Sequence, residues 1–177
     1  MKEKELVLLD HGSGGKLSRL LIENEILPAL ENPFLSPLGD SAFLPEKKLA
    51  FTTDSFVVKP IFFPGGDIGE LAVYGTCNDL AVCGAKPLVL SLSLILEEGF
   101  PFSLLRKIIS SIKKAVKTAQ VLIATGDTKV VEKGAVDGIF LNTAGIGVLS
   151  DWRPQPLREG DKILISGSIG DHGASIL

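Results

Sequence analysis

The order of apolar and polar positions divides the chain into elements. Glu5 to Leu9 predicts a short strand. From Leu17 to Leu27, Leu20, Leu21 and Ile26 recur among polar residues, which predicts an amphipathic helix. Pro28 ends it, and Pro33 and Pro37 mark a loop. Gly39 to Leu44 reads as a turn entering a strand, and Leu49 to Val58 as a second strand with β-branched and aromatic residues. After the Pro/Gly loop Pro60 to Gly66, the run from Asp67 to Cys83 predicts a helix capped by Asp67 and stopped at Gly84. It is small or apolar on nearly every face, the mark of a buried helix. Pro87 to Leu96 is apolar apart from Ser91 and Ser93 and predicts a buried strand. Pro101 opens the clearest amphipathic helix, with Leu104, Leu105, Ile108, Ile109, Ile112, Val116 and Ala119 on one face. Arg106, Lys107, Lys113, Lys114 and Lys117 form its solvated face. Val121 to Thr125 predicts a short strand ending in Gly126-Asp127, and Gly138 to Leu149 a long one. Lys162 to Ser166 predicts another strand, and Gly167 to Gly173 opens a last helix.

This order predicts an α/β (α+β) fold, a mixed sheet with helices packed on one side. Three segments are expected: 1–38, a glycine-rich arm and first helix; 39–150, an α/β domain; and 151–177, a Pro-rich linker (Asp151 to Gly160) and the start of a further domain. The last helix has barely begun at Leu177, so the expectation is the N-terminal piece of a longer protein.

Composition narrows the function. With 177 residues, 45 % of them apolar, the chain suits one well-filled domain. Its net charge is −3 and no basic cluster stands out, so nucleic acid is not an expected partner. No apolar run reaches the roughly 18 residues of a membrane span. Met1 to Glu5 is charged, unlike a signal peptide. Cys77 and Cys83 lack the neighbours of a zinc set and read as small core residues, in keeping with a reducing cytoplasm.

Against that background Asn78 and Asp79 are out of place. A buried carboxylate is costly unless hydrogen-bonded, paired or bound to a metal. No Lys or Arg lies on that helix. Asp54 and Asp127 also follow strand-like runs, in Thr52-Thr53-Asp54 and Thr125-Gly126-Asp127-Thr128. Three carboxylates at element ends, beside hydroxyl or Gly residues, point to one divalent-cation and phosphate site, and Mg²⁺ bridging carboxylates to nucleotide phosphates meets that need. The loop Asp10 to Lys16, with Gly12, Gly14 and Gly15 ahead of a helix, presents backbone N–H groups suited to phosphate. Leu17 stands where a Walker A loop or a dinucleotide fingerprint needs another residue, and a glycine-rich arm without ligand fits the same residues. Lys129 would lie near a phosphate bound at Asp127, either neutralising charge or, if desolvated, acting as a base.

Seven motifs in order resemble the HypE family of hydrogenase maturation proteins. They are His11-Gly12-Ser13-Gly14-Gly15, Thr52-Thr53-Asp54-Ser55, Pro64 to Gly69, Asn78-Asp79-Leu80-Ala81 with Gly84 to Pro87, Ser91 to Gly99, Gly126 to Val131, and Gly170-Asp171-His172-Gly173. That family is related to aminoimidazole ribonucleotide synthetase, selenophosphate synthetase and thiamine-monophosphate kinase. The resemblance implies a homodimer joined through the sheet, with ATP near the interface. It implies Mg²⁺ ligands at Asp40, Asp54, Asp79 and Asp127. Nucleotide contacts fall on Gly12, Gly14, Gly15, Asn78, Asp79 and Thr128, and a catalytic role on Lys129. The implied activity is that of an ATP-dependent carbamoyl dehydratase. It converts an S-carbamoylated C-terminal cysteine to a thiocyanate, with HypF as carbamoyl donor and the HypC–HypD complex taking cyanide to the [NiFe]-hydrogenase iron. Two features depart from the pattern. Neither cysteine of this chain stands in for that terminal cysteine. Gly39 precedes Asp40 where relatives often carry two adjacent acids. The alternatives are another Mg-ATP enzyme of the superfamily and a non-catalytic ATP-binding docking module. A selenophosphate synthetase would carry Cys or selenocysteine before a Lys in the N-terminal loop, and this loop has neither. A thiamine-monophosphate kinase normally lacks the His-Gly-rich arm.

Overall fold

The computed structural model describes residues 6–151, 156–165 and 167–176. The fold divides into two units, Met1–Gly39 and Asp40–Leu177.

In the first unit the expected strand is absent over residues 6–9, and Glu5 lies outside the described residues. Residues 6–8 are irregular and Leu9–Gly12 is a 3-10 turn, while the His11 ring nitrogen Nδ1 accepts from the Leu8 amide at 3.0 Å. Among the described residues no strand pairs with this segment, and an isolated strand leaves its backbone polar groups unmet. The helix that follows is α1 (Lys16–Leu21), a π turn (Ile22–Ile26) and α2 (Leu27–Leu30). Pro28 therefore does not end it. Proline lacks an N–H and crowds the carbonyl four residues earlier. The π turn just upstream changes which carbonyls need donors there, and Pro28 falls in the first turn of α2, where the missing N–H costs little.

The second unit is a five-stranded mixed sheet with two helices on one face, as the pattern predicts. Its strands are β1 (Ala42–Leu44), β2 (Leu49–Phe56), β5 (Ala85–Glu97), β6 (Leu122–Val131) and β7 (Ile139–Leu149), in the order β1-β2-β7-β5-β6. Only β5 and β6 run parallel. They are joined by α4 (Phe102–Ala119), because parallel neighbours need a long crossover. A short hairpin, β3 (Phe62–Phe63) with β4 (Gly66–Asp67), leads into α3 (Ile68–Val82). Asp67 caps α3 as read from the sequence: its Oδ1 accepts from the Gly69 and Glu70 amides at 2.7 and 3.1 Å. The same oxygen accepts from Ser111 Oγ of α4 at 2.7 Å, tying the two helices. Gly84, at φ 77°, takes the left-handed conformation that stops α3. Beyond the sheet, α5 spans Asp171–Ile176. The expected strand at Lys162 to Ser166 is absent over 162–165, and Ser166 and residues 152–155 of the expected linker lie outside the described residues.

The core lies between helices and sheet. Ile68, Ala72, Val73 and Cys77 of α3 pack with Leu90, Leu92, Ile139 and Leu141 of the sheet and Ile108, Ile112 and Ala115 of α4. Each such Leu or Ile contributes about 1.5–3 kcal/mol by leaving water. Among the described residues of the second unit nothing covers the other sheet face, and β5 is buried on one side only. Leu88 and Ile95 are 43 % and 36 % exposed, as are Phe51, Ile146 and Val148 to a similar degree. No helix among the described residues is long and apolar enough to cross a membrane.

The sheet register carries the site. Ser55 pairs with Asn142, Asn142 with Ser93, and Ser93 with Asp127, one row across four strands. β6 is twice the expected length and runs through Gly126-Asp127. It stays paired with β5 as far as Glu97 and Val131, with one irregularity near Leu90 and Ser91. A Cβ at Gly126 would stand 2.2 Å from the Leu92 carbonyl oxygen, so only glycine lets the two backbones approach there. Gly145 of β7 serves α3 in the same way. A Cβ there would meet Thr76 Cγ2 at 2.9 Å and Leu80 and Leu90 methyls at 3.0 Å. Gly145→Ala is expected to lower unfolding free energy by about 1–3 kcal/mol, the usual cost of overpacking. Urea denaturation checks it, and an unchanged midpoint would mean that α3 sits less tightly on β7.

Candidate functional site

Three of the expected acids meet at one end of α3. Asp79 lies in its last turn, Asp54 near the end of β2 on the helix-facing side, and Asp40 just before β1. Hydroxyls bind them together. Thr52 Oγ1 reaches Asp79 Oδ2 at 3.3 Å and the Asp40 carbonyl at 2.8 Å. Ser41 Oγ donates to the Asp79 carbonyl at 3.1 Å, and Thr76 Oγ1 to Asp54 Oδ2 at 3.1 Å. Burial first, then the charge of Asp54, and less strongly the charge of Asp40 and a hydrogen bond with Asp54, together raise the Asp79 carboxyl from 3.8 to about 6, against the Thr52 hydrogen bond, which lowers it. Like charges this close are the condition that a cation relieves.

The donor set fits Mg²⁺. It is all hard oxygen, carboxylate and hydroxyl, with no thiol or imidazole. Among the described residues no three acidic, His or Cys side chains form a ready metal cage. Mg²⁺ seldom uses one; it takes one or two carboxylates and completes its shell with water and phosphate oxygens. Asp54 and Asp79, with Asp40 beside them, match that habit.

The other expected residues lie elsewhere. Asp127 stands in the middle of β6, not at its end. It is three strands along the row from Ser55, about 14 Å at the usual strand spacing, too far for one Mg²⁺ to join it to Asp54. Its parity places it on the uncovered face with Ser55 and Asn142, whereas Asp54 faces α3. Lys129 Nζ lies 3.6 Å from Asp127 Oδ2, and both side chains are exposed. A cavity of about 450 Å³ opens beside β6, lined by Leu92, Leu94 and residues 123–128, so Asp127 and Thr128 border a concave surface. Asn78 is exposed beside Asp79. In the first unit, Gly14 is at φ 76° and its amide donates to Ser18 Oγ at 2.8 Å, while Gly15 is the N-cap of α1 without a side-chain bond. Thr76 and Thr143 were not legible as site residues. Their signal is a fully buried hydroxyl on an otherwise apolar face.

A one-faced mixed sheet with acids gathered at the end of its first long helix defines a class. Residues 38–149 match the AIR synthase related protein, N-terminal domain, and the chain belongs to that family. Within it the likeness is to HypE. Carbamoyl dehydratase HypE of Escherichia coli (strain K12) is 47 % identical over 97 % of this chain and 54 % of its own length. The crystal structure of a HypE–HypF complex superposes with a TM-score of 0.83 at 52 % identity, over 88 % of this chain and 52 % of that one. The crystal structure of hydrogenase maturation protein HypE in complex with ATP gives 0.71 at 51 % identity, over 97 % of this chain and 52 % of that one. The resemblance and the fold class read from the motifs are borne out. The chain spans about half the length of the curated relatives it matches.

Proposed function

We propose that this chain is the Mg-ATP-binding part of a HypE-type, ATP-dependent carbamoyl dehydratase that serves [NiFe]-hydrogenase maturation. The observation that carries the reading is the meeting of Asp40, Asp54 and Asp79, with Asp79 pushed up to about 6, in a chain about half identical to HypE proteins. Asp54 and Asp79 hold the cation and Asp40 supports it. Held there, Mg²⁺ would supply charge to screen the phosphates and the transferring phosphoryl group. Asn78 and Thr128 contact the nucleotide, and Gly12, Gly14 and Gly15 are the phosphate-binding candidates of the first unit. Asp127 and Lys129 stand on the opposite sheet face and are candidates for phosphate contact there, not ligands of the cation that Asp54 and Asp79 hold.

The substrate is an S-carbamoyl group on a C-terminal cysteine of the full-length protein. Its amide oxygen attacks the terminal phosphoryl group of ATP and ADP leaves. The C–O bond then breaks as phosphate departs, the nitrogen loses two protons, and a thiocyanate remains. HypF is the carbamoyl donor and the HypC–HypD complex the cyanide acceptor. Two copies pair through the uncovered sheet face, where Phe51, Ile146 and Val148 stand exposed. Light scattering at micromolar concentration is expected to give a dimer mass, and a monomer throughout would remove the sheet-paired dimer. The activity is tested by intact mass of the carbamoylated full-length protein. With Mg-ATP it should lose the mass of one water, and Asp54→Asn should not. The same loss without ATP would overturn the reading.

A further inference from the structure

Two hydroxyls sit where the packing calls for methyls. Thr76 lies in the middle of α3 and Thr143 in β7, and both are fully buried. Ala72, Val73 and Leu80 lie one turn away on the same face of α3, Leu141 lies two residues along β7 on the same sheet face, and Leu90 meets Thr76 over Gly145. Valine has the shape of threonine and would fill either place without bringing a polar atom into the core. Thr76 Oγ1 and Thr143 Oγ1 are in hydrogen-bond contact. Thr76 Oγ1 donates to Asp54 Oδ2 at 3.1 Å, and Thr143 Oγ1 lies 3.2 Å from the Ala72 carbonyl. Two hydroxyl protons thus face three contacts. The Ala72 carbonyl already accepts the helical N–H four residues on, at Thr76. The arrangement that satisfies every group sends the Thr143 proton to Thr76 and the Thr76 proton to Asp54.

The strand is fixed from the other side as well. Asn142 Nδ2, on the uncovered face, donates to the Asp54 carbonyl at 2.8 Å and to Ser55 Oγ at 3.1 Å. Backbone and carboxylate of Asp54 are therefore both held. The glycine at 145 brings α3 near enough for Thr76 to reach β2 at all.

We infer that Thr76, itself set by Thr143, is a positioning residue: a buried hydroxyl relay fixes the Asp54 carboxylate through Oδ2 in the orientation that receives the divalent cation. The inference rests on the Mg-ATP reading above. A partner that orients a metal ligand commonly contributes about 10- to 100-fold in metal affinity. It also predicts which part of threonine matters. Serine keeps the hydroxyl and loses the methyl; valine does the opposite.

The test is titration of Mn²⁺-ATP into the full-length protein, followed by calorimetry, with melting temperature measured alongside. Thr76→Val is expected to weaken binding at least about tenfold while melting close to the parent. Thr76→Ser should melt lower, because the methyl over Gly145 is gone, yet bind within a few-fold of the parent. A purely packing role gives the reverse order. Thr143→Val repeats the test one link back, and decides it if Thr76→Val fails to fold. Binding that survives in these valine variants but is lost in Asp54→Asn overturns the relay and leaves the Mg-ATP reading standing. Equal binding in the parent and Asp54→Asn overturns both.

Discussion

Asp79→Asn is expected to do two opposite things: stabilise the cation-free chain at neutral pH and abolish tight Mg-ATP binding. Asp79 titrates near 6 when folded, against 3.8 when free of the fold. Between those values the folded chain holds a proton that the unfolded chain releases. The stability tied to that proton is complete below 3.8 and is lost as pH rises through about 6. At pH near 7.5 the parent therefore bears an ionised Asp79 beside Asp54, and asparagine removes the repulsion. The expected gain is about 1 kcal/mol, less than the full shift implies because the group is only partly buried. At pH near 4.5 the gain should vanish. Mg²⁺-ATP reverses the order, since the charge that destabilises the empty site is the one the cation needs; binding should weaken at least about tenfold. Melting curves at both pH values and calorimetry with Mg-ATP check the pair. If Asp79 is only a structural group of the helix end, asparagine leaves both measurements nearly unchanged.

Lys129 carries the second large effect. It stands on the uncovered face, opposite Ile95 in the ladder and 3.6 Å from Asp127. A general base must give up its charge before it works and is helped by a dry pocket. A clamp on phosphate needs only charge and reach. The exposed ion pair matches the clamp. In the full-length enzyme, Lys129→Ala is expected to slow thiocyanate formation by about 10²-fold or more. Lys129→Arg should keep a substantial part of the rate, because arginine retains the charge. Equal loss in both would assign the base role instead, since arginine stays protonated. Parent rates in both would remove Lys129 from the chemistry.

These two residues also show what a sequence can disclose. Asp79 was conspicuous because a carboxylate inside an apolar helix has an energetic cost that must be met locally. The cap at Asp67, the stop at Gly84, α4 and the long strand β7 were legible for similar reasons, each set by a local rule. What was not legible depends on pairing between distant segments. The sequence pattern ends β6 at Thr125, because Gly126-Asp127 looks like a turn, yet the ladder with β5 carries the strand on to Val131. That ladder moves Asp127 from an element end to the middle of a row and away from Asp54. The uncovered sheet face hid behind the apolar run of β5, which reads the same whether one face or both are buried. Thr76 and Thr143 stayed silent because threonine is ordinary in helix and strand, and only burial makes its hydroxyl conspicuous. At the N-terminus, the usual helix-breaking rule puts an end at Pro28, which a π turn circumvents.

The central claim is that the end of α3 and the end of β2 together hold the cation of Mg-ATP. Mn²⁺-ATP added to isotopically labelled protein tests it directly, because the paramagnetic ion broadens amide signals near its binding place. The account predicts selective loss of the Thr52, Thr53 and Asp54 amides and of those from Thr76 to Leu80, reversed by excess Mg-ATP. Broadening confined to β6 around Asp127, with Asp54 and Asp79 untouched, would contradict it.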